Sequence, residues 1–176
     1  MTNAHSHPIR FAMEYGLFLG IYFILKYAIA VLTPRFPLLT IPYMILMCGI
    51  PFVAFWMIRR YRDHDNEGYL RFSEGWNVGV MLFFFASLPE ALAVYGYCQF
   101  IDPEYISKTI NQTLQTMETI NSLSPNPYIL KYLEQTKEAD IPSSIQMAFQ
   151  VIFNNIFVGA IFSLIISLIV KRKRQN

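Results

Sequence analysis

Four long apolar runs, separated by short polar segments, dominate the hydrophobic pattern of this sequence. Each run is about 22 to 26 residues long, and a helix that crosses the hydrocarbon core of a bilayer needs about 20. The runs therefore predict four transmembrane helices, which we place at residues 11–32, 36–58, 75–100 and 145–170. The predicted fold class is all-α membrane, with residues 1–176 forming a single integral membrane domain.

The first of these runs could also be compared with a secretory signal peptide. Its apolar region exceeds the 7 to 15 residues that are typical of signal peptides, and Lys26 interrupts it. We therefore interpret the run as an uncleaved membrane anchor and the first span.

The segment between the third and fourth spans, residues 102–141, has a different pattern. Its apolar residues recur at spacings of three and four, as in an amphipathic helix; they are Ile106, Ile110, Leu114, Met117 and Ile120. Residues 124–127 break this helix, and a second, shorter helix can follow. Since the segment is too small for a core of its own, we predict a helical extracytoplasmic cap that lies on the membrane surface and packs on the ends of the spans.

The third span carries one carboxylate, Glu90, within its apolar run. At about 100° per residue, Glu90 falls on the same face as four small residues, Gly75, Gly79, Ala86 and Ala93. Small residues allow a neighbouring helix to approach closely. We therefore expect a tightly packed face with one ionisable group inside it.

Two further rows of small residues predict helix packing. The first span carries Gly16 and Gly20, and the fourth span carries a row at intervals of four, namely Asn155, Gly159, Ser163 and Ser167. Residues four apart share one face of a helix, so each row predicts a contact face. Because bulky side chains force helix backbones apart, we expect Gly79 and Gly159 to accept alanine but not leucine or isoleucine.

The charges agree with a membrane protein and predict its orientation. Charged residues make up 15% of the chain, whereas a soluble domain has about 25%. Basic residues cluster at 59–62 and 171–174, after the second and fourth spans. Since Lys and Arg favour the cytoplasmic side, we predict that both termini are cytoplasmic. The net charge of +2 is too small and too divided to indicate a nucleic-acid partner.

The candidate polar site within the membrane consists of Lys26, Glu90 and Asn155. With the N-terminus inside, the first and third spans are parallel, which places Lys26 and Glu90 at neighbouring depths. Three interpretations are open. The first is a structural ion pair; the second is a lysine that extends outward while a protonated glutamate bonds Asn155 or a carbonyl freed near Pro89; the third is a site that handles protons or ions.

Motifs of catalysis and metal binding are missing from the sequence. It has no nucleophile elbow, no HExxH and no Gly-rich phosphate loop, and its histidines lie outside the spans. Its two cysteines, Cys48 and Cys98, lie in separate apolar runs without zinc spacing. We therefore expect a protein that is not an enzyme and that has no cofactor and no metal site.

Three short stretches resemble a known family. FSEGWNVG opens the third span, IDP closes it, and NNIFVGAIFSLIIS followed by KRKR forms the fourth span and its end. These resemble a bacterial family of small four-span inner-membrane proteins that is catalogued only as a domain of unknown function. The resemblance implies a multi-pass protein of the bacterial inner membrane, and it implies no activity and no catalytic residue.

The favoured functional interpretation is a non-enzymatic membrane scaffold or accessory subunit. Its partners would be the lipid bilayer and either further copies of the chain or another membrane protein. The alternative is a component of a small ion or solute transporter that uses Glu90. Since four spans are few for a carrier, this alternative requires a homo-oligomer.

Overall fold

A computed structural model of the chain describes residues 8–138 and 140–172, and most of these residues are helical. The helices, in chain order, are α1 (Pro8–Leu32), α2 (Thr40–Arg60), α3 (Phe72–Gly96), α4 (Tyr105–Leu123), α5 (Pro127–Glu138) and α6 (Ser144–Val170). A 3₁₀ turn at Pro37–Leu39 precedes α2. Turns of π-helix extend α2 through Tyr61–Asp65 and α3 through Tyr97–Ile101.

Helices α1, α2, α3 and α6 are long and apolar enough to cross a membrane, which confirms the predicted four spans and the all-α membrane fold class. The chain is therefore a multi-pass membrane protein. The second span continues to Asp65 through its π-helical turn, although the polar sequence after residue 58 predicted a loop there. Residues 173 and 174 of the second basic cluster lie outside the described residues.

The described residues form two compact units, 8–93 with 149–172, and 94–148. The first unit contains α1, α2 and most of α3 and α6. Its central helix is α3, because 50% of the most apolar stretch of α3 is buried, compared with 22% for α1 and α6 and 11% for α2. Fully buried side chains at the centre of this unit include Leu19, Phe23, Ile58, Leu82 and Phe83.

The polar turn between α2 and α3 is attached to the end of α6. Gly68, with a φ of +79°, turns the chain back towards α3. Leu70 and Arg172 then pair through two backbone hydrogen bonds of 3.0 Å, and Arg62 Nη1 donates to the Val170 carbonyl at 3.0 Å. These contacts satisfy backbone groups in the last turn of α6 that have no partner within the helix.

The second unit contains the amphipathic helix predicted before residue 124, which is α4, and the shorter helix predicted after it, which is α5. The two helices fold back on each other, and Lys137 on α5 pairs with Glu118 on α4 at 2.5 Å. Ile106 of α4 and Leu133 of α5 are buried. The location of this unit on the membrane surface and against the span ends stays a prediction.

The start of α4 carries a small group of charges. Lys108 Nζ lies 3.2 Å from Asp102 Oδ1 and 3.3 Å from Glu104 Oε2. Hydrogen bonds to these two carboxylates raise the pKa of Lys108 above its ordinary value. The three side chains together hold the turn that leads from the end of α3 into α4.

Candidate functional site: a polar cluster within the spans

Glu90 lies deep in α3, directly after Pro89. The residue is about eleven positions, or roughly 16 Å, before the end of the span at Ile101. The helix continues through the proline without a break, and only 4% of Glu90 is exposed. The carboxylate is therefore held inside the bundle rather than in the headgroup region.

Each oxygen of the Glu90 carboxylate has a donor from a different helix. Lys26 Nζ, on α1, lies 3.0 Å from Glu90 Oε1. Asn155 Nδ2, on α6, donates to Glu90 Oε2 at 2.5 Å. The lysine ammonium also lies 4.7 Å from the centre of the Phe23 ring, within the range of a cation–π contact. The ion pair and the hydrogen bond to Asn155, which the sequence raised as separate alternatives, occur together.

The cluster balances its own charge. The side chains of Lys26 and Glu90 are 14% and 5% exposed, so both ions are largely removed from solvent. An unpaired ion in such a place costs several kcal/mol, roughly, and a partner with good geometry offsets much of that cost. Because three helices each supply one member, the cluster also fixes the depths of α1, α3 and α6 relative to one another.

The glycines of α1 bring Lys26 to its partner. A Cβ on Gly16 would lie 2.6 Å from the Phe85 Cβ of α3, and one on Gly20 would overlap the Pro89 ring. The two glycines therefore leave room for side chains of α3. The contact of Gly20 with Pro89 lies close to the ion pair, because Lys26 follows Gly20 by six residues on α1 and Glu90 directly follows Pro89 on α3.

The small residues of α6 meet α3 on its other side. A Cβ on Gly79 would overlap Ser163, and one on Gly75 would lie 3.0 Å from the Ser167 Oγ. The serine Oγ atoms are buried and have no hydrogen-bond partner among the described residues. Each serine Oγ lies close to the position that a Cβ would occupy on the facing glycine. This arrangement suits weak Cα–H···O contacts, in which the glycine Cα–H points at the serine oxygen. On α6 itself, Gly159 receives the ring of Phe83.

The glycines of α3 face the serines of α6, whereas α1 contacts α3 nearer to Glu90. This packing differs from the prediction in the space that it leaves at two glycines. A Cβ on Gly159 would lie 2.5 Å from the Phe83 Cβ, and a Cβ on Gly79 would lie 2.5 Å from the Ser163 Cβ. Neither neighbour is the free end of a flexible side chain, so the expectation that these glycines accept alanine is wrong.

The partners of the glycines were missed by sequence reasoning. Phe85 and Pro89 fill the space at Gly16 and Gly20, and both pairs have a spacing of four. Because residues four apart share one face of a helix, this equal spacing on two parallel helices is the signal that could have identified which side chains of α3 face the glycines of α1.

The arrangement of this site provides an ion pair and a hydrogen bond between helices. Across residues 8–138 and 140–172, no three or more His, Cys, Asp or Glu side chains come together as a metal site would require. Lys26 and Asn155 each contact Glu90.

A family model described as "Protein of unknown function (DUF4199)" matches residues 12–172. The chain belongs to this family. The DUF4199 match spans α1 to α6 and therefore includes the whole polar cluster. It confirms the resemblance to a domain of unknown function, while bacterial origin stays a prediction. No curated protein and no solved structure matches the chain.

Proposed function

We propose that the protein is a non-enzymatic scaffold or accessory subunit of the bacterial inner membrane. The observation that carries this proposal is the closed polar cluster. Lys26 and Asn155 each contact one Glu90 oxygen, so the most deeply buried acidic or basic side chain among the described residues joins helices. For Glu90 to bind a transported ion, the carboxylate would have to leave Lys26 or Asn155 first.

The proposed orientation places both termini in the cytoplasm. The pairing of Leu70 with Arg172 brings the turn after α2 and the end of α6 to one side of the unit that contains them. Arg59, Arg60 and Lys171 are exposed near this side, which supports a cytoplasmic location by the positive-inside tendency. A reporter that is active only in the periplasm, fused after Asn176, should be inactive; an active fusion would contradict the orientation.

Reconstitution into liposomes tests the proposed role against transport through Glu90. We expect the wild-type protein to give no pH-dependent ion flux above that of empty liposomes, measured with a trapped pH-sensitive dye. A matched control is Glu118→Gln, which changes an exposed carboxylate on α4. A wild-type flux that Glu90→Gln abolishes and Glu118→Gln retains would establish the homo-oligomeric transporter instead.

The accessory role predicts a protein partner. Cross-linking in native membranes, followed by purification and mass measurement, should recover a stable complex with a different membrane protein at fixed stoichiometry. Recovery of a homo-oligomer with a water-filled interior would favour the transporter. Recovery of the single chain from every membrane preparation would contradict the accessory role.

A further inference from the structure

An arginine at the end of α2 is held against aromatic rings of two helices. The guanidinium carbon of Arg60 lies 5.6 Å from the centre of the Trp56 ring on α2 and 5.7 Å from that of Tyr15 on α1. Arg60 Nε donates to the Tyr15 hydroxyl at 2.5 Å. Tyr15 in turn stacks on Phe11 with the ring centres 4.2 Å apart. The position of the guanidinium is therefore set by contacts across a helix–helix boundary.

The charge of Arg60 is not balanced by the protein around it. Nearby Arg10 pairs with Glu14, and Arg59 pairs with Asp63. Within the described part of the chain, no carboxylate lies at ion-pair distance from Arg60, and neither of its terminal nitrogens has a hydrogen-bond acceptor. Two pairs of N–H donors thus remain available on an exposed side chain.

The surroundings of Arg60 select a ligand with both an anionic and an apolar part. Trp56 is 54% exposed, and Phe18, which lies 6.3 Å from Tyr15 between ring centres, is 65% exposed. Trp56 lies about one turn before Arg60 on α2, and Phe18 lies about one turn further into α1 than Tyr15. Aromatic residues are enriched in this way near a membrane interface. A planar guanidinium binds a phosphate through two parallel hydrogen bonds.

We propose that Arg60, positioned by Tyr15 and Trp56, binds the phosphodiester of an anionic phospholipid in the leaflet that contacts the end of α2. The terminal nitrogens of Arg60 donate to two phosphate oxygens. The exposed rings of Trp56 and Phe18 contact the acyl chains just below. The single unbalanced positive charge selects a lipid with net negative charge over a zwitterionic one.

Lipid titration of the purified protein tests this assignment. The probes are phosphatidylglycerol, phosphatidylcholine and inorganic phosphate, each added to protein in neutral detergent, with bound lipid counted by native mass spectrometry. We expect phosphatidylglycerol to be retained on the wild-type protein, and Arg60→Gln to bind it about fivefold more weakly, as one basic residue near a membrane surface implies. Inorganic phosphate should not compete, because it lacks acyl chains.

Two further variants keep the test decisive. Arg71→Gln is the matched control, since Arg71 is exposed but lies 3.5 Å from its own partner Glu74. Arg60→Lys should fold normally and recover only part of the binding, because an ammonium lacks the planar pair of donors. Equal loss in Arg71→Gln and Arg60→Gln, equal retention of phosphatidylcholine, or displacement of the lipid by inorganic phosphate would each overturn the assignment.

Discussion

Removing Lys26 alone should destabilise the protein more than removing Lys26 and Glu90 together. The change Lys26→Met keeps a side chain of similar length but takes the ammonium away from Glu90 Oε1, which lies 3.0 Å from Lys26 Nζ. The carboxylate then keeps one donor, Asn155. A buried charge without its counter-ion is the most costly state that these residues can reach.

The size of the effect follows from the burial of the pair. Removing one partner of a buried ion pair lowers the free energy of unfolding by about 3 to 5 kcal/mol. The loss is limited because Asn155 still donates a hydrogen bond to the carboxylate. We therefore expect Lys26→Met to lose about 3 to 4 kcal/mol, and the double variant with Glu90→Gln to recover about 2 kcal/mol of this.

The free energy of unfolding in mixed micelles, titrated with sodium dodecyl sulfate, measures all three variants of this cycle. The matched control is Lys137→Met, because Lys137 also has a carboxylate partner but is 54% exposed. An exposed pair contributes under about 1 kcal/mol. Additive losses in the double variant, or a Lys26→Met loss no larger than that of the control, would refute the reasoning.

Three other changes probe the remaining contacts. Gly159→Ala should lower the thermal unfolding midpoint by several degrees because its methyl group meets Phe83, whereas Gly96→Ala, with open space around it, should change it little. Leu114→Cys should react more slowly than Gln115→Cys with a bulky water-soluble thiol reagent, because Leu114 is on the less exposed face of α4; equal rates would contradict that orientation. Arg62→Gln should cost about 1 to 3 kcal/mol of unfolding free energy, since it removes a buried donor from the last turn of α6, and an unchanged free energy would contradict that role.

The number of spans and the depth of the charged residues could be predicted from the sequence. Both follow from the chain itself: an apolar run of sufficient length must cross the bilayer, and a fixed rise per residue places Lys26 and Glu90 along parallel helices. The same regularity predicted the amphipathic helix α4. These are properties of single helices and need no knowledge of their neighbours.

The pairing of faces could not be predicted in the same way. A row of glycines indicates that a neighbouring helix packs closely there. The side chain that fills the space at each glycine comes from another helix, as the Pro89 ring does at Gly20, and the sequence of one helix does not identify it. The helical extension of α2 through Tyr61–Asp65 could not be predicted either, because this segment has the polar composition of a loop. There, burial of Tyr61 and the hydrogen bond from Arg62 to α6 stabilise a helical turn that the local sequence does not favour.

The polar cluster has a consequence for biosynthesis. Lys26 is synthesised first, so α1 reaches the bilayer before Glu90 and Asn155 have been inserted. A lysine at such a depth makes insertion less favourable by up to roughly 3 kcal/mol. Glu90 removes most of that penalty when α3 arrives, and Asn155 completes the cluster only when α6 is inserted. The first span is thus the one whose insertion is least stable during synthesis. A truncated chain that ends before α3 lacks Glu90, and we expect quality-control proteases to degrade it faster than a chain that ends after α3.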